Sequence, residues 1–201
     1  MYDILEIPAL PPRAIVLTPP LSDEEFERMC EKTRFASLER SKEGTIIVNA
    51  PAGGLTSDGN SEINRQLRNW WLQHRCGRTF DSSAGFFLRD GSMLNPDAAY
   101  VTEEQLKGLT RSDLARFPRL APAFIVELRS ESDRLAGVQE KMESWIANGI
   151  ELGWLIDPDA KQVHVYTQDS RPRVESGPSV TGSGPVEGFV LDLEEVWRCY
   201  E

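Results

Sequence analysis

The chain has 201 residues, 40% hydrophobic and 27% charged, with a net charge of −10 and a pI near 4.8. That length suits one well-buried domain and is short for two, and no apolar run approaches the roughly 20 residues of a membrane span. The acidic balance counts against simple coating of DNA, whose non-specific affinity comes from phosphate neutralisation, although an enzyme needs only a local basic patch.

In chain order, residues 1–20 hold five of the thirteen prolines and are expected to form an irregular arm that packs on the domain or reaches a partner. Its sequence has no basic leader before a clean apolar core, so no secretory signal is expected and a cytoplasmic location is. The single domain then runs over 21–201. Ser22 caps a first helix, with Asp23, Glu24 and Glu25 at the positive end of its dipole and Phe26, Met29 and Cys30 as its apolar stripe. Leu38–Arg40 and Thr45–Asn49 are expected as a hairpin, and Pro51–Gly54 breaks the pattern. A second helix runs from about Ser57 to Cys76 on the stripe Ile63, Leu67, Trp70 and Trp71, and Gly77 stops it.

Thr79–Leu88 reads as one strand, followed by a turn at Arg89–Ser92 and the strand that carries Asp97. A short helix and loop fill 102–119. The next strand carries Glu127, and a helix spans about Asp133 to Asn148. Leu152–Ile156 and Lys161–Tyr166 form a second hairpin. Gly177–Gly188 is expected as a surface loop, and Phe189–Trp197 ends the domain. Mixed strands and helices of this kind argue for one α/β sandwich.

Two acidic segments thirty residues apart carry the chemical signal: Asn95-Pro96-Asp97-Ala98-Ala99-Tyr100-Val101 and Phe124-Ile125-Val126-Glu127-Leu128-Arg129-Ser130. Each places a carboxylate inside an apolar run, where an unpaired charge is costly. Strand alternation sends Glu127 and Arg129 to the same face. If Asp97 lies on a neighbouring strand, two carboxylates converge, which suits a divalent cation with oxygen ligands. The alternative is a buried Glu127–Arg129 salt bridge with Asp97 ending a strand. In the following helix, Leu135, Val138, Met142, Trp145 and Ile146 form an apolar stripe. Lys141 lies at its edge, where a long stem is buried and the amine reaches out.

These segments resemble the PD-(D/E)XK nuclease superfamily and, within it, the Uma family of restriction endonucleases. The matching stretches are Ser22–Phe26, Leu38–Gly44, Ile46–Gly54, Asn95–Val101, Phe124–Ser132 and Lys141–Pro158, in order along nearly the whole chain. The resemblance implies a restriction-endonuclease-like core, a central mixed β-sheet flanked by helices. It makes Asp97 the Asp of the "PD" element and Glu127 the second acid. The usual lysine place holds Arg129, which cannot serve as a general base; the resemblance moves that role to Lys141. The implied activity is hydrolysis of DNA phosphodiester bonds with Mg2+ or Mn2+. Asp97, Glu127 and the carbonyl of Leu128 would be metal ligands, with Arg129 clamping a phosphate oxygen or pairing with Glu127. Glu39 matches an acidic position and is expected to orient the lysine or bind a second metal. Glu62 ranks below it, because it projects away from the apolar stripe.

Other chemistries find little support. His74 is expected as a packed core residue and His164 as part of an amphipathic strand, and neither has ligand spacing. Gln139 is a minor candidate beside Lys141. The serines lack a nucleophile-elbow context, and Gly53-Gly54 alone is no phosphate loop. Cys30, Cys76 and Cys199 suggest neither a metal finger nor a disulfide framework. Two alternatives to a DNA endonuclease remain open: a catalytically inactive module keeping the nuclease fold, and a metal-dependent hydrolase of another substrate. A homodimer is expected if both strands of a duplex are cut.

Overall fold

The computed structural model describes residues 13–34 and 36–201. Residues 1–12 of the expected arm lie outside them, whereas Arg13–Ile15 form an edge strand, β1. Helix α1 (Asp23–Lys32) starts with a capping box, in which Ser22 and Glu25 each bond the other's backbone amide, and buries Phe26 completely. Strands β2 (Ser37–Arg40) and β3 (Ile46–Asn49) pair antiparallel as the expected hairpin, and β1 joins the outer side of β3. Gly44 turns the hairpin at φ 85°, in the left-handed region.

Helix α2 (Gly54–His74) starts before the expected Ser57, because Gly53 serves as N-cap and its carbonyl accepts the Ser57 amide at 2.9 Å. The expected strand Thr79–Leu88 is instead two, β4 (Arg78–Asp81) and β5 (Phe86–Phe87), in different sheets. The Asp81 carboxylate accepts the Ser83 amide at 3.0 Å and turns the chain between them. After β6 (Met93–Leu94), Asn95-Pro96-Asp97 leads into β7 (Ala98–Val101). Two one-turn helices, α3 (Glu103–Leu106) and α4 (Arg111–Leu114), precede β8 (Phe124–Leu128).

Strands β8 and β9 (Leu152–Asp157) are parallel neighbours, a pairing that needs a crossover connection, and helix α5 (Leu135–Ala147) supplies it. Strand β10 (Gln162–Thr167) returns as the second hairpin, and β11 (Arg173–Glu175) pairs beyond it. The expected surface loop at 177–188 is more ordered than its composition suggests. It contains β12 (Ser179–Thr181), which pairs with β13 (Val190–Asp192), and it buries Val180 and Val186. Helix α6 (Leu193–Arg198) closes the fold.

The result is a six-stranded mixed sheet, β11-β10-β9-β8-β7-β4, and a smaller five-stranded sheet, β1-β3-β2-β6-β5. One face of the larger sheet packs on Ile63, Leu67 and Trp70 of α2 and on Leu193 and Val196 of α6. Its other face packs on Met142 and Trp145 of α5. This is the expected α/β architecture. A third cluster, Phe26, Leu38, Ile46, Phe87 and Met93, fills the small sheet. Among the described residues no helix is long and apolar enough to cross a membrane.

Candidate active site

The two sheets meet at Asn95-Pro96-Asp97, where the chain leaves β6 of the small sheet and enters β7 of the large one. Asp97 lies just before β7, beside the end of β8. Its amide donates to Val126 O at 2.9 Å, and its Oδ2 accepts the Leu128 amide at 2.7 Å. Its carboxylate thus caps a sheet ladder. From α2, Asn60 Nδ2 donates to Asp97 Oδ1 at 2.8 Å and Asn64 Nδ2 donates to Asp97 O at 2.9 Å. Three donors therefore fix the orientation of this half-buried residue.

Glu127, 4% exposed, points from β8 towards α5. Its Oε1 accepts from Trp145 Nε1 at 2.8 Å and its Oε2 from Lys141 Nζ at 3.0 Å. Lys141 Nζ lies 2.8 Å from Glu39 Oε1 and donates to Asn95 O at 2.8 Å. Glu39, on β2, is 5% exposed and also accepts from the Asn95 amide and from Asn49 Nδ2. Asp97, Glu127, Lys141 and Glu39 thus come together from four separate elements, with Lys141 bridging the two sheets. Leu128 sits beside them at the end of β8.

Arg129 departs from one expectation. Its Nη1 binds Asp157 Oδ1 at 2.8 Å and Asp159 Oδ2 at 3.1 Å, so it pairs with these aspartates rather than with Glu127. It follows the last residue of β8 and leans towards the end of β9, whose terminal Asp157 competes for it. Glu62 bonds Arg65 and Gln66 on its own helix, and neither it nor Gln139 lines the cleft. His74 is exposed, not packed in the core: its Nδ1 sits 2.9 Å from Trp70 O and its ring tilts over Trp70. Cys30, Cys76 and Cys199 are free thiols.

Burial governs the electrostatics. It pushes the Glu127 carboxyl up to about 8, with Asp97 and Glu39 adding and Lys141 opposing. Both Glu127 oxygens nevertheless accept donors, which is the geometry of a carboxylate. Burial alone would lower Lys141, but Glu127 and Glu39 override it and hold the ammonium charged. Asp97 is raised by burial, against the pull of the Leu128 amide and Lys141. Three carboxylates thus face one ammonium.

That excess of hard, anionic oxygen suits a divalent cation. Asn60 Oδ1 and Asn95 Oδ1 are buried without a hydrogen-bond partner among the described residues, two further neutral oxygens with unused capacity. Among the described residues no group of three or more His, Cys, Asp or Glu side chains is itself arranged to hold a metal, so amide or carbonyl oxygens would have to complete a shell around Asp97 and Glu127. The quartet opens onto a cleft of about 2500 Å³ that also runs past Pro51–Thr56, Ser130–Arg134 and Tyr200. Ordinary small-molecule pockets are about 300–1,000 Å³, so this cleft is of polymer size.

Asn60 and Trp145 contribute to the site without having been singled out from the sequence. Asn60 and Asn64 stand one helical turn apart beside the Ile63/Leu67 stripe, a polar pair bordering an apolar face, which is the signal that marks them.

A solved structure of "a putative nuclease" from Anabaena variabilis superposes on this chain with a TM-score of 0.72 at 19% identity, covering 90% of this chain and 100% of that one. At that identity the likeness is one of fold. No curated protein matches the chain. The family model described as "Putative restriction endonuclease", Uma2, matches residues 23–194, which include every residue of the quartet. The chain belongs to the Uma2 family.

Proposed function

We propose that the protein is a divalent-cation-dependent endonuclease hydrolysing DNA phosphodiester bonds. The observation that carries this reading is the convergence of Asp97, Glu127, Glu39 and Lys141 on the wall of a polymer-sized cleft. Membership of a restriction-endonuclease family and a fold shared with a protein described as a nuclease support it.

Asp97 and Glu127, with the Leu128 carbonyl, would hold the cation, Mg2+ or Mn2+. When bound, such a cation lowers the pKa of water and offsets charge on the phosphate. Lys141 orients the attacking water, and its ammonium stabilises negative charge developing on the phosphoryl oxygens. Glu39 and the Asn95 carbonyl aim that ammonium. Asn60 and the Leu128 amide hold Asp97 in one rotamer, so that its free lone pairs face the cleft. Arg129, balanced by Asp157 and Asp159, lies at the cleft rim, where a phosphate oxygen would compete for its guanidinium.

Plasmid and linear duplex DNA incubated with Mg2+ or Mn2+ should be cleaved by the wild type. Asp97→Ala and Glu127→Ala should each lower the rate at least 100-fold. Thermal unfolding run in parallel should show millimolar cation raising the wild-type midpoint but not that of Asp97→Ala. Unchanged metal-dependent cleavage by both variants would overturn the assignment. One observation favours a second reading, a non-catalytic module: Lys141 already neutralises part of Glu127 and Glu39. That reading expects no cation-dependent stabilisation and no cleavage.

A further inference from the structure

Helix α2 carries more than the clamp on Asp97. Asn60, Asn64, Arg68 and Trp71 recur at spacings of four, four and three, which puts them on one face of the helix beside the buried Ile63/Leu67 stripe, and Arg75, the left-handed C-cap residue, follows at the end of the helix. The inner end of this face holds Asp97 through Asn60 and Asn64. The outer end is cationic. The Arg68 guanidinium lies 3.9 Å from the Trp71 ring centroid and the Arg75 guanidinium 5.7 Å from it.

Trp71 is itself fixed by its Nε1 bond to Gly77 O at 2.9 Å. Arg68 also donates to Thr79 on β4, the edge strand of the large sheet, at 3.2 Å. Glu103, at the start of α3, accepts the Gly77 amide at 3.2 Å. Arg68, Arg75 and neighbouring Arg78 are exposed, and among the described residues none of them makes an ion pair. In a chain of net charge −10, an uncompensated arginine pair held in place by a tryptophan is out of keeping with a merely solvated surface. Stacking removes much of the rotamer freedom that a phosphate contact would otherwise have to freeze.

We propose that this outer face of α2 is a contact strip for a nucleic-acid backbone, with Arg68 and Arg75 as its phosphate ligands. At 1.5 Å of rise per residue they stand about 12 Å and about 22 Å along the helix from Asn60. With about 3.4 Å per nucleotide along one strand, a backbone running parallel to the helix would cover those distances in roughly three to seven nucleotides. The strip explains how an acidic protein engages a polyanion through one narrow basic line. It rests on the proposed nuclease reading for its position relative to the scissile bond, but it makes a claim about binding alone.

The experiment is fluorescence anisotropy of a labelled mixed-sequence duplex in EDTA across a potassium chloride series. It compares wild type, Arg68→Gln/Arg75→Gln, Arg68→Lys/Arg75→Lys and, as a control, Arg171→Gln, an exposed arginine in the loop between β10 and β11. Each lost phosphate contact should lower the slope of log affinity against log salt by about 0.9. The Gln pair should therefore flatten it by about 1.8 and weaken binding at least tenfold. The Lys pair should keep the wild-type slope but bind more weakly, because lysine retains the charge without the planar stack on Trp71; Arg171→Gln should bind as wild type does, and all four proteins should melt within a few degrees of one another. A Gln pair with wild-type affinity and slope, or a wild type that binds no duplex, overturns the proposal. If cleavage persists while the Gln pair binds normally, the strip is wrong and the nuclease reading stands. If binding falls as expected but no cation supports cleavage, the nuclease reading fails and the strip stands.

Discussion

Lys141 has an energetic role that can be separated from any chemistry. Its ammonium answers two glutamates that are 4% and 5% exposed, and the stability of that arrangement depends on all three. Removing one partner of a buried ion pair leaves an uncompensated charge and typically costs about 3–5 kcal/mol. Lys141→Met should lower the urea-unfolding free energy by about 3 kcal/mol, because Trp145 and Asn49 still bond the two glutamates. Adding Glu127→Gln to that variant should recover part of the loss, since no charge then lies unpaired beside Trp145. A single variant as stable as wild type would show that Glu127 and Glu39 do not depend on the ammonium. It also follows that cleavage by any Lys141 variant must be assayed well below its own melting temperature.

At the scale of the element, the placing of Lys141 depends on how closely α5 lies on β9. Gly153 permits that approach: a Cβ there would come 2.6 Å from Met142 Cε and 2.9 Å from Ile150 Cδ1. Both atoms are the far ends of flexible side chains, so Gly153→Ala should be taken up by their rotation, at the low end of the about 1–3 kcal/mol that overpacked cores cost. It should leave cleavage unchanged, because α5 and Lys141 keep their places. Gly177→Ala, at an exposed position where a Cβ meets nothing within 4 Å, should change neither stability nor cleavage in chemical-denaturation and cleavage assays.

Legibility in the sequence follows the same division between local and long-range causes. Periodicity and turn chemistry reveal both hairpins, the α5 stripe and the capping box at Ser22, because each is decided within a few residues. Lys141 was placeable at the edge of its stripe for that reason, and the family resemblance then pointed it at Glu127. The splitting of Thr79–Leu88 was not legible, since Phe86 and Phe87 are drawn into the other sheet by β6 across a turn that only the Asp81 carboxylate signals. The partner of Arg129 was equally hidden. Strand alternation placed it near Glu127, but the competing Asp157 arrives from a parallel neighbour twenty-eight residues later. Asn60 meets Asp97 only once α2 has packed across β7 and β8.

Across the whole molecule, polar joints tie the small sheet to the rest of the fold, two ion-pair clusters among them. The first is the Glu39–Lys141–Glu127 bridge at the candidate site. The second, at the outer side of α1, is Asp23, which binds both Arg40 of β2 and Arg119 in the segment before β8. Arg40 is 4% exposed and lies 5.3 Å from the ring centroids of both Phe26 and Phe87, so its charge is neutralised in a largely apolar setting. Burial pushes the Asp23 carboxyl up, but Arg119 and Arg40 outweigh it and hold the group below its ordinary value of 3.8. A carboxyl depressed in the folded state adds stability above its unfolded pKa, and that stability drains away as pH falls through the folded value. Asp23→Asn should therefore melt below wild type at pH 7, and the gap should narrow steadily below pH 3.8 until it closes in strong acid. Circular-dichroism melts of the two proteins between pH 2 and pH 7 test this. A gap that stays constant over that range would show that Asp23 acts through packing or neutral hydrogen bonds alone, and that the two sheets are joined at this end without the help of charge.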